Sequence, residues 1–320
     1  MVKKVIIDCD VGVDDALALI LAFHSPELEV EAVTGVNGNV PIEMVFTNIQ
    51  KVLSLIKPKK KPLIAKGADK PLKGQALYAH SVHGKSGLGE AKIELEEGEE
   101  CWKSFAGSAD QLITKVAREF PGELTLIATG PLTNLALGLQ KDSEGMKKLK
   151  EIVMMAGAVR TKGNVTPYAE FNIYVDSQAA KIVFGSELPM TLVPLDVTHQ
   201  VCLTPSLIEE RITPMNNPFS KFTIDAIGYD RNSRRFRRGT DLIYLHDPLA
   251  VGVAIKDDLV KKEKLSLDVE TEEVGRFGQI LKTEETPNIE VCLKVDSKRF
   301  LDLFLSRLGK LYDKENPCSW

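Results

Sequence analysis

The sequence has few cysteines, and they do not form closely spaced pairs. Its five cysteines stand singly, and no two of them form a Cys-x-x-Cys motif. Structural zinc sites and dithiol redox centres use such pairs, so this pattern argues against both. The odd number of cysteines and the lack of a signal-peptide pattern near the first residue predict a reduced, cytoplasmic protein.

The sequence also lacks an excess of basic residues and a long apolar run. Lys and Arg number 41 against 45 Asp and Glu, which gives a formal net charge of −4. This balance argues against nucleic acid as a partner, and the arginine-rich run 229–238 is interpreted as a solvated helix face. The apolar stretch 16–23 is too short to cross a membrane. We therefore expect neither nucleic acid nor a membrane as a partner.

What the sequence does contain is a repeated alternation of apolar strands and amphipathic helices. The pattern predicts strands over 28–36, 124–128, 152–155, 190–195 and 265–269, and helices over 41–56, 107–120 and 297–308. A largely helical region is expected over 205–256. The alternation predicts an α/β fold in one domain over 1–320. A mostly parallel, Rossmann-like sheet would be flanked by helices, with the functional site at the carboxyl ends of the strands.

The most informative segment is a group of four carboxylates after the first strand. Apolar residues 5–7 lead into Asp8, Asp10, Asp14 and Asp15, and an apolar helix follows. Four acidic groups this close repel one another unless a positive charge lies between them, and a hard divalent cation with oxygen ligands meets that need. Two alternatives are a set of helix-capping aspartates and a phosphoaspartate enzyme, which also places Asp-x-Asp after a first strand.

Polar residues follow other predicted strands. Asn39 follows Gly38 after the second strand, and Glu170 and Asn172 flank Phe171 downstream of Asn164. Amides and carboxylates around an aromatic ring suit a ligand with many hydroxyl groups. The alternative interpretation is a set of ordinary turns and polar loops.

Two histidine segments complete the candidate chemistry. His246 and Asp247 precede a proline, so Asp247 could supply a further oxygen ligand and His246 an acid beside it. His83 precedes a glycine-rich segment that resembles part of a phosphate loop. Ala79 stands where that motif requires glycine, so a mobile lid that carries His83 is the better interpretation.

Taken together, these motifs resemble the inosine-uridine-preferring nucleoside N-ribohydrolases. The shared motifs recur in the family order over almost the whole chain: Asp8-x-Asp10-x-x-x-Asp14-Asp15, Gly38-Asn39, His83-Gly84, Thr129 to Asn134, Gly163-Asn164, Glu170-Phe171-Asn172 and His246-Asp247-Pro248. The chain departs from the family pattern at Cys9 and Ala156, where threonine and glycine are common.

The resemblance implies a set of roles for individual residues. Asp10, Asp15, the Thr129 carbonyl and Asp247 resemble Ca²⁺ ligands. Asp10 also resembles the general base that activates water, and His246 the residue that assists the departing nucleobase. Asp8 is expected to support the metal ligands without binding the ion itself. The remaining residues expected to contact the substrate are Asp14, Asn39, His83, Met155, Asn164, Glu170, Phe171, Asn172 and Tyr229.

The implied activity is Ca²⁺-dependent hydrolysis of a ribonucleoside to ribose and free base, by a homodimer or homotetramer. Which base is preferred stays open. Two other functions stay open as well: a phosphoaspartate-type phosphatase, and a ribose- or nucleoside-binding protein without turnover.

Overall fold

A central sheet of nine strands organises the part of the chain that the structure describes. The computed structural model describes residues 2–89, 91–95, 100–228, 242–286 and 288–310. The strands of this sheet are β1 Lys3–Cys9, β2 Leu28–Gly35, β3 Leu63–Lys66, β4 Lys103–Ser104, β5 Leu124–Ala128, β6 Glu151–Met155, β7 Met190–Val193, β10 Val260–Leu265 and β13 Ile289–Val295. They lie in the order β10-β13-β7-β6-β5-β1-β2-β3-β4 across the sheet. Two small two-stranded sheets pair β8 Cys202–Leu203 with β9 Ile243–Tyr244 and β11 Leu267–Val269 with β12 Ile280–Lys282.

Helices cover both faces of the sheet. The α-helices are α1 Val13–Phe23, α2 Ile42–Ile56, α3 His80–His83, α4 Ala109–Glu119, α5 Thr133–Lys141, α6 Ser143–Met146, α7 Phe171–Val175, α8 Ser177–Phe184, α9 Leu195–Thr198, α10 Pro205–Leu207, α11 Pro218–Ala226, α12 His246–Ile255 and α13 Ser297–Leu308. Irregular helical turns lie at Ile208–Ile212, Thr213–Met215 and Asp257–Leu259. Among the residues described, no helix is long and apolar enough to cross a membrane.

Strand β1 lies at the centre because both of its faces are apolar. Val5 and Ile7 belong to the core on one face of the sheet, and Ile6 belongs to the core on the other face. All three side chains are fully buried, as expected for a parallel strand covered by helices on both sides. This confirms the predicted mostly parallel α/β sheet.

The connectivity places a crevice at the carboxyl end of β1. Strand β1 pairs in parallel with β2 on one side and with β5 on the other. The chain therefore runs outward through β2 and β3 in one direction and through β5, β6 and β7 in the other. Ligands in open α/β sheets bind where the strand order reverses in this way.

Several predicted boundaries are wrong at the carboxyl-terminal end of the chain. The strand predicted over 265–269 is two strands, because β10 ends at Leu265 and β11 begins at Leu267. Sequence reasoning missed β10 itself because this antiparallel edge strand is largely charged, with only its end residues Val260 and Leu265 buried. The helical region predicted over 205–256 is interrupted by strand β9.

Strand β7 also ends earlier than predicted. It ends at Val193 rather than at residue 195, because Pro194 has no N–H to continue the ladder. The helix predicted over 297–308 and the strand predicted over 124–128 are confirmed at both ends.

Candidate active site

Asp8 lies below the crevice and holds three elements together. Its Oδ1 accepts hydrogen bonds from the Thr34 hydroxyl at 2.5 Å and from Asn134 Nδ2 at 2.8 Å. Its carbonyl accepts from the Thr129 amide at 2.8 Å. Burial raises the pKa of Asp8 to about 7, although the side-chain hydrogen bonds from Thr34 and Asn134 oppose the shift. These contacts join β1 to the ends of β2 and β5.

Asp10 and Asp15 are held next to each other by Asn39. The Asn39 backbone amide donates to Asp10 Oδ2 at 2.7 Å. The Asn39 side-chain Nδ2 lies 3.1 Å from Asp10 Oδ1 and 3.2 Å from Asp15 Oδ2. The Thr129 hydroxyl donates to Asp15 Oδ1 at 2.8 Å. Gly38 permits this approach, since a Cβ there would lie 2.0 Å from Asp10 Oδ2.

Asp14 and Asp247 meet although they are far apart in sequence. The Asp247 backbone amide, in the first turn of α12, donates to Asp14 Oδ2 at 3.1 Å. Asp14 thus lies at the positive end of that helix, where a carboxylate is favoured. Through this contact, α12 brings Asp247 and His246 to the end of β1.

Asp10, Asp14, Asp15 and Asp247 form what we call the acidic cluster. Burial raises the pKa of Asp14 to about 8, with the charge of Asp15 adding to the shift. Burial first, and then the charge of Asp15, also raise the pKa values of Asp10 and Asp247 well above the usual range. Among the described residues, no Lys or Arg forms an ion pair with any member of the cluster.

The chemistry of the acidic cluster fits a hard cation. All of its side-chain donors are carboxylate oxygens, the ligands that Ca²⁺ and Mg²⁺ prefer. Within the described ranges, no group of three or more His, Cys, Asp or Glu side chains is already arranged to hold a metal ion. The fit therefore rests on charge balance and ligand type, since buried carboxylates need a positive partner.

A second polar group surrounds the Thr129 carbonyl. Asn172 Nδ2 donates to the Thr129 carbonyl at 2.8 Å and to the Met155 carbonyl at 3.0 Å. Glu170 caps α7, and its carboxylate accepts from the amides of Asn172 and Gly157, each at 2.8 Å. These backbone donors hold Glu170 in one orientation at the edge of the crevice.

The crevice encloses a cavity of about 380 Å³, which is large enough for a small organic ligand. The predicted site residues that line it come from elements spread along the chain: Asp14, Asn39, His83, Thr129, Met155, Asn164, Glu170, Phe171, Asn172, His246 and Asp247. Asp10 and Asp15 do not line the cavity, but both contact Asn39, which does. The predicted site residue Tyr229 and the run 229–238 lie outside the described residues.

Sequence reasoning missed the apolar wall of the cavity. The wall includes Val13, Leu17, Val82, Leu242 and Tyr244. Four of these are ordinary aliphatic residues with no local motif to distinguish them from core residues. Tyr244 does have a signal, because it stands two residues before His246.

The two predicted histidines lie on this wall in different environments. His83 Nδ1 accepts a hydrogen bond from the Val13 amide at 3.1 Å, which leaves Nε2 to carry the proton of the neutral ring. His246 Nδ1 lies 2.7 Å from the Thr198 hydroxyl. Burial lowers the pKa of His83 to about 4 and that of His246 to about 3, so both rings are neutral at pH 7.

Comparison with known proteins gives the family. Residues 5–302 match the family model described as inosine-uridine preferring nucleoside hydrolase. The chain is 38% identical to the pyrimidine-specific ribonucleoside hydrolase RihA of Salmonella gallinarum (strain 287/91 / NCTC 13346), over 96% of this chain and 99% of that protein.

Solved structures agree with this match. A plant nucleoside hydrolase, PpNRh1, superposes with a TM-score of 0.88 at 32% identity, over 97% of this chain and 99% of its own. A purine-preferring ribonucleoside hydrolase from Gardnerella vaginalis superposes with a TM-score of 0.87 at 31% identity, over 96% and 98% of the two chains. The chain therefore belongs to the inosine-uridine-preferring nucleoside hydrolase family, and its reaction is the hydrolysis of ribonucleosides.

Proposed function

We propose that the protein uses Ca²⁺ to hydrolyse the N-glycosidic bond of purine ribonucleosides, pyrimidine ribonucleosides or both, for nucleoside salvage or catabolism. The observation that supports the metal is the acidic cluster, whose buried carboxylates have no Lys or Arg ion-pair partner within the described part of the chain. Metal dependence is general in this family, and the all-oxygen donor set favours Ca²⁺ over softer ions. Asp10, Asp15, the Thr129 carbonyl and Asp247 would hold the ion.

We infer that Asp10 is the base that removes a proton from the attacking water. When bound, Ca²⁺ would hold the ribose hydroxyls and that water on one face and make the water more acidic. Asp10 suits the task because two donors from Asn39 fix its orientation. A fixed base near the water lowers the entropic cost of the proton transfer.

The carboxylates around the cavity suit the charge that develops during the reaction. Cleavage of a glycosidic bond passes through a state with positive charge on the sugar ring. Asp14 and Glu170 line the cavity and would stabilise that charge as it forms. Asn39, Asn164 and Asn172 offer amide groups to the ribose hydroxyls, and Met155 and Phe171 offer apolar contact.

The leaving base would meet the histidine wall of the cavity. His246 and His83 are neutral at pH 7, so each would assist by donating a hydrogen bond from its ring N–H. The apolar residues beside them, among them Val82 and Tyr244, would contact the flat faces of the base. A neutral donor still stabilises the negative charge that builds on the departing base.

The test is ribose release from a panel of uridine, cytidine, inosine, adenosine and guanosine. We expect release of ribose and free base from at least one of them, and the ranking gives the base preference. Phosphate release from nucleotides without ribose release would support the phosphatase alternative. Nucleoside binding without any release would support the binding-protein alternative.

We further propose that the enzyme works in the cytoplasm as a homodimer or homotetramer. The odd number of cysteines supports a reducing compartment, because structural disulfides use cysteines in pairs. The proposed oligomeric state rests on the family resemblance. Light scattering tests it by measuring the mass of the protein in solution. A monomer at assay concentration would contradict it.

A further inference from the structure

His246 has one side-chain partner whose chemistry is informative. Its Nδ1 lies 2.7 Å from Oγ1 of Thr198, the last residue of helix α9. Thr198 is fully buried, whereas His246 lines the cavity. Nδ1 is therefore occupied by a buried partner, and Nε2 is the ring nitrogen available to a ligand in the cavity.

The Thr198 hydroxyl can donate to only one group. Among the described residues, the only hydrogen-bond partner of its Oγ1 is His246 Nδ1. If Nδ1 carried the ring proton, the hydroxyl hydrogen would be buried without an acceptor, which proteins avoid. If the hydroxyl donates to Nδ1 instead, both groups are satisfied and the ring proton lies on Nε2.

We propose that Thr198 is a positioning residue that fixes the His246 tautomer with its N–H at Nε2, aimed at the departing base. This inference rests on the proposed function, since the donor matters only if a base leaves from the cavity. Thr198 itself lies behind His246 and would act only through that ring.

Aromatic neighbours limit the other movements of the ring. The centroid of the His246 ring lies 5.6 Å from that of His199 and 5.7 Å from that of Tyr244. These contacts confine the plane of the imidazole but donate nothing to Nδ1. The hydroxyl of Thr198 is thus the group that decides which ring nitrogen carries the proton.

The first experiment compares Thr198→Val with Thr198→Ser on two substrates. Valine keeps the shape of threonine without the hydroxyl, and serine keeps the hydroxyl. For the best nucleoside of the panel, we expect Thr198→Val to lower kcat by about tenfold, the effect of one lost hydrogen bond, with little change in KM.

A nitrophenyl riboside needs no donor because its leaving group is already a stable anion, so its kcat should change less than about twofold. Thr198→Ser should restore most of the nucleoside rate.

The matched control is Thr114→Val. Thr114 is also a buried threonine, but its hydroxyl donates to the Asp110 carbonyl within α4, which does not line the cavity. This variant should leave kcat unchanged for both substrates. An equal loss on both substrates for Thr198→Val, or no loss on either, overturns the inference.

The second experiment reads the tautomer directly and does not depend on turnover. Nitrogen-15 NMR of the histidine rings distinguishes the two neutral tautomers, and a His246→Gln variant assigns the signal of His246. We expect the wild-type ring to carry its proton on Nε2 and Thr198→Val to lose that preference. A proton on Nδ1 in the wild-type protein overturns the inference, even if the panel shows no ribose release and the proposed function fails.

Discussion

Two groups of carboxylates lie at opposite ends of strands β1 and β2, and their surroundings differ. At the amino end, Glu29 and Glu31 form what we call the ion-pair cluster with Lys4 and Lys60, at N–O distances of 2.6 to 3.0 Å. Hydrogen bonds from Lys60 and Lys4 lower the pKa of Glu29. At the carboxyl end, burial raises the pKa of Asp14 to about 8 and no lysine or arginine of the described residues pairs with the acidic cluster.

The difference separates a structural arrangement from a functional one. The ion-pair cluster balances its own charge at the surface, where such pairs add little to stability. The acidic cluster keeps buried charge unbalanced, which lowers stability unless a cation binds. Groups with shifted pKa values in a crevice of this kind are typical of functional sites.

Among the substitutions, the largest effect is expected from replacing one carboxylate oxygen of Asp10 in the acidic cluster. Asp10→Asn should lower kcat for ribose release by about 10²–10⁴-fold, because the amide cannot accept the proton of the attacking water. Circular dichroism should show an unchanged fold. The matched control is Glu29→Gln in the ion-pair cluster, which should leave kcat unchanged. Wild-type turnover in Asp10→Asn would remove Asp10 from the role of base.

Removal of the metal should lower both the activity and the stability of the protein, because the acidic cluster then loses the cation that balances its charge. Exhaustive chelation should abolish ribose release and lower the melting temperature, and added Ca²⁺ should restore both. At a Ca²⁺ concentration of 100 times Kd, binding adds about 2.7 kcal/mol to the free energy of unfolding. Metal analysis before chelation should find about one Ca²⁺ per chain, as the oxygen ligands require. One tightly held Zn²⁺ per chain would contradict the calcium assignment.

The two clusters should respond to pH in opposite directions in the chelated protein. The pKa of Asp14 is raised to about 8 in the folded state, so the folded protein binds more protons than the unfolded one between about pH 4 and pH 8. Its contribution to stability is present at low pH and is lost as pH rises through that window. Glu29 has a lowered pKa, so its contribution is lost as pH falls.

Denaturant titrations of the chelated protein at several pH values test this contrast. Unfolding free energy should fall from pH 5 to pH 8, by at most about 1.4 kcal/mol per pH unit for each titrating group. Asp14→Asn should make the dependence shallower over that range. A stability that rises steadily to pH 8 without metal would contradict the raised pKa of Asp14.

The smallest effect is expected in the ion-pair cluster. Lys60→Ala should lower the free energy of unfolding by only ~0.2–1 kcal/mol, because half of the Lys60 side chain is already in water. Ribose release should not change. High salt should reduce the difference from wild type, since exposed pairs are screened. An activity loss in Lys60→Ala would show that the two ends of the strands are coupled.

Local patterns predicted most of the central sheet. Strand β1 has an apolar run that faces both sides of the sheet, and strand β5 is apolar apart from Thr125, so both could be read from the sequence. Helix α13 was predicted at both ends, and its first turn is capped by Asp296. Strand β10 was missed, because an edge strand with a charged middle has no apolar alternation to detect.

The candidate site also contains residues that the sequence indicated and residues that it did not. The motif that follows β1 identifies Asp10, Asp14 and Asp15 without any structure, because four aspartates within eight consecutive residues are unusual. The residues Val82 and Leu242 could not be found, because an aliphatic side chain on a cavity wall looks like one in a core. The roles assigned to individual site residues stay predictions until the variants above are measured.

The sequence by itself determined the strand-helix alternation and the placement of acidic groups at the end of β1, because both depend on residues that are close along the chain. Only the tertiary structure decided that the backbone amide of Asp247 donates to the Asp14 carboxylate and that Thr198 contacts His246. Contacts of this kind depend on which strand ends meet, and strand order is set by packing across the whole sheet. For the same reason, the balanced ion-pair cluster and the unbalanced acidic cluster can be told apart only in the folded chain.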